Sequence, residues 1–145
     1  MEESVKERTL AILKPDCVQR HLVGKVIDHL LNKEFRIVAM KMIRLNKKSA
    51  GEFYAVHKER TFFPDLLNFM TESEVIAMVL EKKNAVAELR NVIGATDPAE
   101  ATVGTVRKLY AENKQNNIIH ASDSIENAQI EISFFFSNKE IIDNL

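Results

Sequence analysis

The first apolar run of the chain is short and ends at a proline, which restricts the folds open to it. Residues 10–13 read Leu-Ala-Ile-Leu and are followed by Lys14, Pro15 and Asp16. Proline disfavours helix at the residue before it and has no N–H for a sheet, so the run predicts a buried strand that ends at Lys14. Residues 23–31 carry apolar side chains at helical spacing, and residues 36–45 return to a strand-like mixture. Strand, helix and strand in this order predict a βαβ or split-βαβ opening.

The middle of the chain predicts two short helices, a strand and a longer helix. Residues 49–57 and the segment introduced by Thr-Phe-Phe-Pro at 61–64 form a predicted helical hairpin that could stand off the sheet as a lid or a wall. Residues 75–80 are continuously apolar and predict a central strand. Asn84 is the predicted N-cap of a helix through Ile93, which Gly94 ends.

The last third predicts an irregular loop, a short strand and a terminal helix. Residues 95–105 are small and polar, which favours a functional loop, and residues 106–110 predict one or two helical turns. Residues 118–119 predict a short strand. Residues 123–126 have capping-box spacing, and the tail from residue 137 is expected to pack loosely. The helix after the capping box has a predicted apolar face made of Ile125, Ala128, Ile132, Phe135 and Phe136.

Composition narrows the class of protein. With 145 residues and 46% hydrophobic content, residues 1–145 are long enough for one buried core and predict a single domain. The 20 Lys and Arg side chains against 21 Asp and Glu give a net charge of -1, so no overall positive field is present to attract nucleic acid. A nucleic-acid partner is therefore not expected.

Cysteine content and hydropathy favour the cytoplasm. Cys17 is the single cysteine, which excludes an internal disulfide and suits a reducing compartment. The charged N-terminus lacks a run of signal-peptide length, and no segment approaches the roughly 20 apolar residues that cross a bilayer. We expect a soluble cytoplasmic protein without a membrane partner.

The common nucleotide-binding and metal-binding motifs are absent. Gly24 and Lys25 resemble the end of a Walker A motif, but Gln19 stands where its first glycine is required and Val26 where a Ser or Thr should bind magnesium. The four glycines cannot form G-x-G-x-x-G, and the four histidines form no H-x-x-x-H pair. A protein of this sequence that handles phosphate must bind it with side chains.

A set of side chains has the chemistry that phosphoryl transfer requires. Such a transfer needs cations around the phosphate oxygens, a nucleophile in line and a group that orients the nucleophile. A neutral imidazole can attack phosphorus when an acceptor holds its other nitrogen. Glu131 lies inside the helix predicted after His120 and can reach back to that ring. The candidate set is Lys14, Arg90, Thr96, Arg107, Asn117, His120, Ser122 and Glu131.

Residues 117–124, Asn-Ile-Ile-His-Ala-Ser-Asp-Ser, closely resemble the active-site signature of nucleoside diphosphate kinases. Other segments resemble the family's motifs in the family's order, at residues 9–16, 19–20, 62–64, 94–98, 104–107 and 131–133. The resemblance implies an α/β (α+β) fold, a ferredoxin-like sandwich whose four-stranded antiparallel sheet is covered by helices and carries a helical hairpin insertion. It also implies ping-pong transfer of the γ-phosphate between nucleotides through a phosphohistidine.

The resemblance implies catalytic roles for five positions. His120 would take the phosphate, Glu131 and Ser122 would orient its ring, and Tyr54 would lie close to the reacting group. Lys14 would contact the ribose hydroxyl and the phosphate. The implied assembly is a homo-oligomer, either a tetramer or a hexamer.

The resemblance also implies a nucleotide-binding set. Phe62 would stack on the base with Leu66 beside it, Lys114 stands where an aliphatic residue often completes the base clamp, and Asn117 would contact ribose and phosphate with Lys14. Mg²⁺ would be held by the nucleotide phosphates, with no metal ligand from the protein. The β- and γ-phosphates would be held by Arg90, Thr96 and Arg107.

Alternatives and departures accompany these assignments. A non-catalytic scaffold or a nucleic-acid-binding member of the same fold is the alternative function, which predicts loss of the nucleophile or a basic face; neither feature is present in the sequence. Phe62 is expected in the cleft and Phe63 in the core, while the other histidines are interpreted as structural. The sequence departs from the family pattern at Cys17, Val103, Lys114 and Ala121.

Overall fold

The computed structural model of the chain describes residues 6–142. Four strands within this range form one antiparallel sheet. The strands are β1 (Glu7–Leu13), β2 (Arg36–Ile43), β3 (Val75–Lys82) and β4 (Ile119–Ala121), in the order β2-β3-β1-β4. β1 is central, because it pairs with β3 on one side and β4 on the other. The predicted ferredoxin-like α+β sandwich is confirmed.

Helices cover both faces of this sheet. Within residues 6–142, no helix is both long and apolar enough to cross a lipid bilayer. The helices are α1 (Pro15–Gln19), α2 (Val23–Asn32), α3 (Lys47–Phe53), α4 (Phe63–Thr71), α5 (Ala85–Ile93), α6 (Val106–Tyr110) and α7 (Ile125–Phe135), with short 3₁₀ turns at Ala55–His57 and Asn138–Glu140.

The core is divided between the two faces by the alternation of β1. Leu13 points to the face that also buries Leu30 of α2 and Leu89 of α5, whereas Ile12 points to the face that buries Phe69 of α4. Successive side chains of a strand point to opposite faces, so an apolar run fits a strand covered on both sides. The residues that immediately follow β1 are thereby anchored to a central strand that is covered on both faces.

Pro15 ends β1 as predicted, but it also begins a helix that the pattern did not predict. Proline is tolerated at the first helical position because the N–H it lacks would have no helical partner there. The resulting helix α1 is short, and its first residues, Pro15, Asp16 and Cys17, are buried. This helix turns the chain under the end of the sheet directly after Lys14.

The two predicted helix caps differ in outcome. Asn84 occupies the N-cap position of α5, as predicted, with a left-handed backbone (φ 56°), but its side chain caps no N–H; Glu7 Oε2 instead accepts the Val86 N–H at 2.8 Å. At α7 the N-cap is Ser124, which accepts the Asn127 N–H at 3.0 Å. The capping box predicted over residues 123–126 is therefore not formed.

The predicted apolar face of α7 and the predicted loose tail also need correction. Ile125 is about half exposed at 51%, whereas Phe136 is buried but follows the end of the helix. Beyond it, Glu140 pairs with Lys41 at 3.1 Å. The Ile142 N–H donates to the carbonyl of Val38 in β2 at 2.8 Å. The described part of the tail thus packs on the sheet.

Gly94, which was predicted to end α5, does so with a left-handed backbone (φ 88°). A Cβ there would lie 2.5 Å from Thr105 Oγ1 and 2.8 Å from Thr105 Cβ. We expect Gly94→Ala to lower the free energy of unfolding by about 2–4 kcal/mol, combining left-handed strain with overpacking. Urea unfolding measures the loss.

Gly104 provides the matched control for this prediction. Its φ is 91°, and no heavy atom among the described residues lies within 4 Å of a Cβ placed there. Gly104→Ala should therefore cost only the backbone strain, about 1–2 kcal/mol. Equal losses in the two variants would contradict the steric role of Gly94.

Candidate active site

A cleft of about 950 Å³ lies between the α3–α4 hairpin, the end of β1, the 94–117 segment and the start of α7. The hairpin forms one wall, as predicted, since Phe53, Tyr54, Phe62 and Leu66 line the cleft. All but one of the site residues predicted from the sequence line this single space: Lys14, Tyr54, Phe62, Leu66, Arg90, Thr96, Arg107, Lys114, Asn117, His120 and Glu131. The remaining residue, Ser122, is fully buried and contacts the site through Glu131.

His120 is held at the edge of the sheet by a carboxylate. It lies in β4 opposite Ile12 of β1, and its Nε2 is 2.8 Å from Glu131 Oε1. The Ser122 hydroxyl donates to the same oxygen at 2.7 Å. An ionised carboxylate can only accept, so Nε2 carries the proton of the neutral ring. The lone pair is consequently on Nδ1.

The surroundings of His120 keep the ring neutral. Its side chain is only 18% exposed, and the rings of Phe53 and Tyr54 meet it edge-on at centroid distances of 5.3 and 6.0 Å. Burial lowers the pKa of His120 from its ordinary value, and Glu131 opposes that shift. A buried neutral imidazole retains the lone pair that a nucleophile needs.

Lys14 follows the end of β1 and reaches into the cleft. Its Nζ donates to Asn117 Oδ1 at 2.8 Å, and the amide of Asn117 donates to the Lys114 carbonyl at 2.9 Å. Burial, together with the nearby charge of Arg107, lowers the pKa of Lys14 to about 8, although Asp16 raises it. The charged fraction of Lys14 therefore falls as the pH rises through about 8.

Arg107 is a buried cation whose position is fixed by backbone carbonyls. It donates to the carbonyl oxygens of Asn117 (3.3 Å), Gly94 (3.0 Å) and Ile119 (2.6 Å). A guanidinium carries more N–H donors than these carbonyls accept, so donors remain for an anion. Burial and the charge of Arg90 lower the pKa of Arg107 to about 10. The charge of a bound anion would oppose both the burial and the repulsion from Arg90, and so raise the pKa of Arg107 again.

Arg90 and Thr96 lie nearer the solvent. Arg90 is exposed, and its guanidinium donates to the carbonyl of Ala121 at 3.3 Å, next to His120 in sequence. Thr96 is also exposed and lies on the loop that follows Gly94. Together with Lys14 and Arg107, Arg90 gives this part of the cleft a positive charge that suits phosphate.

The other end of the cleft presents an aromatic surface. Phe62 is 42% exposed; the His57 ring lies 5.5 Å from it and the Arg60 guanidinium sits 5.5 Å above it. Leu66 is half-buried and Lys114 is exposed on the same cleft. An exposed aromatic face bordered by aliphatic groups can stack on a planar base.

Tyr54 contributes a hydroxyl that lacks a partner. The side chain is buried, and Oη makes no hydrogen bond to any residue within 6–142. Burial raises the pKa of Tyr54, as does the charge of Glu131, so the phenol keeps its proton. A buried hydroxyl without a partner is costly and is available to donate to a bound group.

Phe53 and His57 are among the cleft residues that were not predicted. Phe53 touches His120 edge-on, and His57, interpreted from the sequence as structural, stacks near Tyr54 at 6.4 Å and lines the cleft. Both are close to Tyr54 in sequence, which is the signal that could have indicated them. Phe63 was expected to be buried and is half-buried against the core.

A protein-held metal has no obvious place among residues 6–142. This part of the chain contains no group of three or more His, Cys, Asp or Glu side chains that could hold a metal ion. The part of the cleft around His120 is instead lined by the cations of Lys14, Arg90 and Arg107 and by the hydroxyls of Tyr54 and Thr96.

The sequence of this chain is similar to known kinases along nearly its full length. A family model described as nucleoside diphosphate kinase matches residues 7–141. The nucleoside diphosphate kinase of Chlorobium chlorochromatii (strain CaD3) is 62% identical over 136 residues, covering 94% of this chain and 97% of the relative. That of Chloroherpeton thalassium (strain ATCC 35110 / GB-78) is 58% identical over 139 residues, covering 96% and 99%.

Solved structures are similar as well. The nucleoside diphosphate kinase of Aquifex aeolicus superimposes with a TM-score of 0.93 at 45% identity, covering 95% of this chain and 100% of that one. The halophilic nucleoside diphosphate kinase of Halobacterium salinarum, solved in complex with CDP, gives 0.92 at 38% identity, covering 96% and 93%.

A ferredoxin-like sheet whose cleft combines an oriented imidazole with several cations defines a nucleotide-binding phosphotransferase. The chain belongs to the nucleoside diphosphate kinase family. The alternative of a non-catalytic scaffold or nucleic-acid-binding member is not favoured, since the matched relatives carry the name of the kinase.

Replacing Glu131 with glutamine tests the electrostatics of His120. The carboxylate raises the pKa of His120 through its charge and its hydrogen bond, so Glu131→Gln should lower that pKa further. Ser122→Ala keeps the carboxylate charge and should shift the pKa of His120 less. NMR titration of the ring measures both variants, and a higher pKa in Glu131→Gln would contradict the assignment.

Because the folded-state pKa of His120 lies below the ordinary 6.5, the free energy of unfolding should decrease as the pH falls below that value.

Proposed function

We propose that the protein transfers the γ-phosphate of ATP, or of another nucleoside triphosphate, to a nucleoside diphosphate through a phosphohistidine at His120. The observation that carries this proposal is the 2.8 Å contact between Nε2 and Glu131 Oε1. It leaves the lone pair on Nδ1 of a ring that lines the cleft. Histidine, carboxylate and cations occur together there, which is the combination that phosphoryl transfer through histidine needs.

The chemical steps need no proton acceptor. Nδ1 of His120 attacks the γ-phosphorus, the Nδ1–P bond forms, and the bond to the bridging oxygen breaks with its electron pair leaving on the diphosphate. The phosphorylated ring carries a positive charge, which Glu131 stabilises through the Nε2–H. A β-phosphate oxygen of the second nucleotide then attacks the same phosphorus and releases neutral His120. The two half-reactions are the reverse of each other in form, as ping-pong transfer requires.

The cations and hydroxyls of the cleft would stabilise the transferring group. We assign the β- and γ-phosphates to Arg90, Thr96 and Arg107, with Lys14 and Asn117 between phosphate and ribose. The spare donors of Arg107 and the lowered pKa of Lys14 support this assignment. Burial deprives each cation of solvation, and a bound phosphate would supply the opposite charge that stabilises it. The unpartnered Tyr54 hydroxyl would donate close to the reacting phosphate.

The base would stack on Phe62. Leu66 borders the ring on one side, and the alkyl stem of Lys114 can cover the other face of the base while its ammonium stays in water. Stacking without a cluster of edge-reading groups predicts broad nucleotide specificity. The CDP complex of the Halobacterium salinarum relative supports a nucleotide as the ligand of this fold.

We propose Mg²⁺ as the cofactor, bound to the nucleotide phosphates. The cationic lining fits a metal that arrives on the nucleotide better than one held by protein carboxylates. When bound, the ion supplies further neutralisation of the phosphate oxygens. Lys14, Arg90 and Arg107 remain the groups of this chain that hold those oxygens.

The chain is further proposed to act as a single domain over residues 1–145, in the cytoplasm, and as a homo-oligomer, either a tetramer or a hexamer. The buried free thiol of Cys17 supports a reducing compartment. Met40 and Met42 are 52% and 58% exposed on the edge strand β2, and exposed apolar side chains on an edge support association. Sedimentation equilibrium tests this, and the mass of one chain, 16.5 kDa, would contradict it.

Incubation with γ-labelled ATP tests the proposed nucleophile. We expect an acid-labile, alkali-stable phosphoprotein that loses its label on addition of a nucleoside diphosphate. His120→Ala should abolish labelling and retain the fold, since a residue at a cleft contributes little to core packing.

The control is His21→Asn, because His21 is exposed, has a left-handed backbone that asparagine tolerates, and lies outside the cleft lining. This variant should be labelled at the unaltered rate. An unlabelled wild-type protein, or a labelled His120→Ala variant, would refute the proposal.

A further inference from the structure

The segment that leads into the nucleophile contains a strained residue. Ile118 is fully buried and has a φ of 76°. The left-handed region is a genuine outlier for a β-branched side chain, because its Cβ crowds the following carbonyl. Such strain costs about 1–3 kcal/mol and persists only when the surroundings enforce it. Ile118 lies between Asn117 and His120, so its backbone direction affects the placement of both.

Ile118 is hydrogen-bonded to a buried carboxylate. The N–H of Ile118 donates to Asp16 Oδ2 at 3.1 Å, and the carbonyl of Ile118 accepts the N–H of Lys14 at 2.9 Å. The N–H and the carbonyl of Ile118 are therefore both bonded to the β1–α1 turn, at Asp16 and at Lys14 respectively. Buried backbone groups that lose their partners pay a desolvation cost, so the strained form is favoured while Asp16 is present.

The position of Asp16 is itself fixed. It is 4% exposed and lies in the first turn of α1, directly after Pro15. Its second oxygen, Oδ1, has no hydrogen-bond partner within residues 6–142. Burial raises the pKa of Asp16, while the Ile118 N–H and the Lys14 charge oppose that shift. Burying this carboxylate with one oxygen unpaired costs free energy in the folded protein.

The neighbouring residues bear on the same segment. Arg107 donates to the carbonyls of Asn117 and Ile119, on either side of Ile118. The side-chain oxygen of Asn117 accepts a hydrogen bond from the Lys14 ammonium. The carboxylate of Asp16 thus bonds to the peptide between Asn117, which is proposed to contact phosphate, and β4, which carries His120.

We propose that Asp16 is a positioning residue for phosphoryl transfer: its carboxylate holds Ile118 in the left-handed conformation and thereby sets His120 and Asn117 relative to Lys14. This inference rests on the proposed role of His120 as nucleophile. Asp16 touches neither nucleotide nor phosphorus in this scheme. Its contribution is geometric, and misplacement of a nucleophile by about 1 Å is enough to cost roughly 100-fold in rate.

Substitution of Asp16 separates positioning from binding. Asp16→Ala removes the acceptor, and we expect the single-turnover rate of His120 phosphorylation at saturating ATP to fall about 10- to 100-fold. The dissociation constant of ADP should change by a smaller factor than this rate, since the proposed contacts of Arg90 and Thr96 with phosphate and of Phe62 with the base do not depend on Asp16. Asp16→Asn keeps a carbonyl that can accept the Ile118 N–H, and it should retain most of the rate.

Glu7→Ala is the matched control. Glu7 Oε2 also accepts a backbone N–H, that of Val86, at 2.8 Å, and it is partly buried at the opposite end of β1. Loss of this bond should lower stability without lowering the phosphorylation rate of the folded protein. Equal rates for Asp16→Ala and wild type would overturn the inference, as would an Asp16→Asn variant that is as slow as Asp16→Ala.

A second comparison needs no change at Asp16 and applies even if Asp16→Ala does not fold. Ile118→Ala removes most of the side chain but keeps a Cβ in the left-handed region, whereas Ile118→Gly removes the strain. Phosphorylation should be faster in Ile118→Gly than in Ile118→Ala. If Ile118→Gly is the slower variant, the strained conformation does not govern the rate and the inference fails.

The double variants complete the test. Asp16→Ala should slow phosphorylation far less in the Ile118→Gly background than in the Ile118→Ala background, because glycine adopts the left-handed form without help. Equal effects in the two backgrounds would overturn the inference. Absence of label in the wild-type protein would instead refute the role of His120. Hydrogen exchange of the residue 118 amide would then still report on Asp16: we expect protection in the wild type that Asp16→Asn retains, and an unprotected wild-type amide would overturn the inference.

Discussion

The short antiparallel pairing of β4 with β1 is the constraint on which the site depends. Ile12 lies opposite His120, and the next backbone bond along the pair joins the Lys14 N–H to the Ile118 carbonyl. β1 has no exposed surface from Leu10 to Leu13, so it cannot shift without opening the core on both faces of the sheet. His120 in β4 and Lys14, which directly follows β1, are consequently held close together at the same end of the sheet.

The chemistry follows from burying cations beside a neutral ring. Burial lowers the pKa of Lys14 to about 8 and that of Arg107 to about 10, because it deprives both charges of solvation. Backbone carbonyls hold Arg107, and the Asn117 side chain holds Lys14. Donors held in this way need little rearrangement when a phosphate arrives, which is the basis of electrostatic preorganisation.

Local signals accounted for most of the fold, whereas contacts between distant residues did not appear in the sequence. The Gly94 stop and the reach of Glu131 to His120 were predictable, because helix ends and helical spacing are local properties. The bond from the Val86 N–H to Glu7 at the start of α5 joins residues 79 apart, and the bond from the Ile118 N–H to Asp16 joins residues 102 apart. The proposed phosphate-binding and base-binding roles came from the family resemblance, since surface arginines and phenylalanines carry no such signal by themselves.

The ring nitrogen that carries the phosphate tests the central claim most directly. In protein labelled with ¹⁵N-histidine and phosphorylated by ATP, one-bond coupling between phosphorus and nitrogen identifies the modified atom. The hydrogen bond from Nε2 to Glu131 predicts phosphate on Nδ1 of His120. Phosphate on Nε2 would contradict the account, because that nitrogen would have to leave the carboxylate that orients the ring.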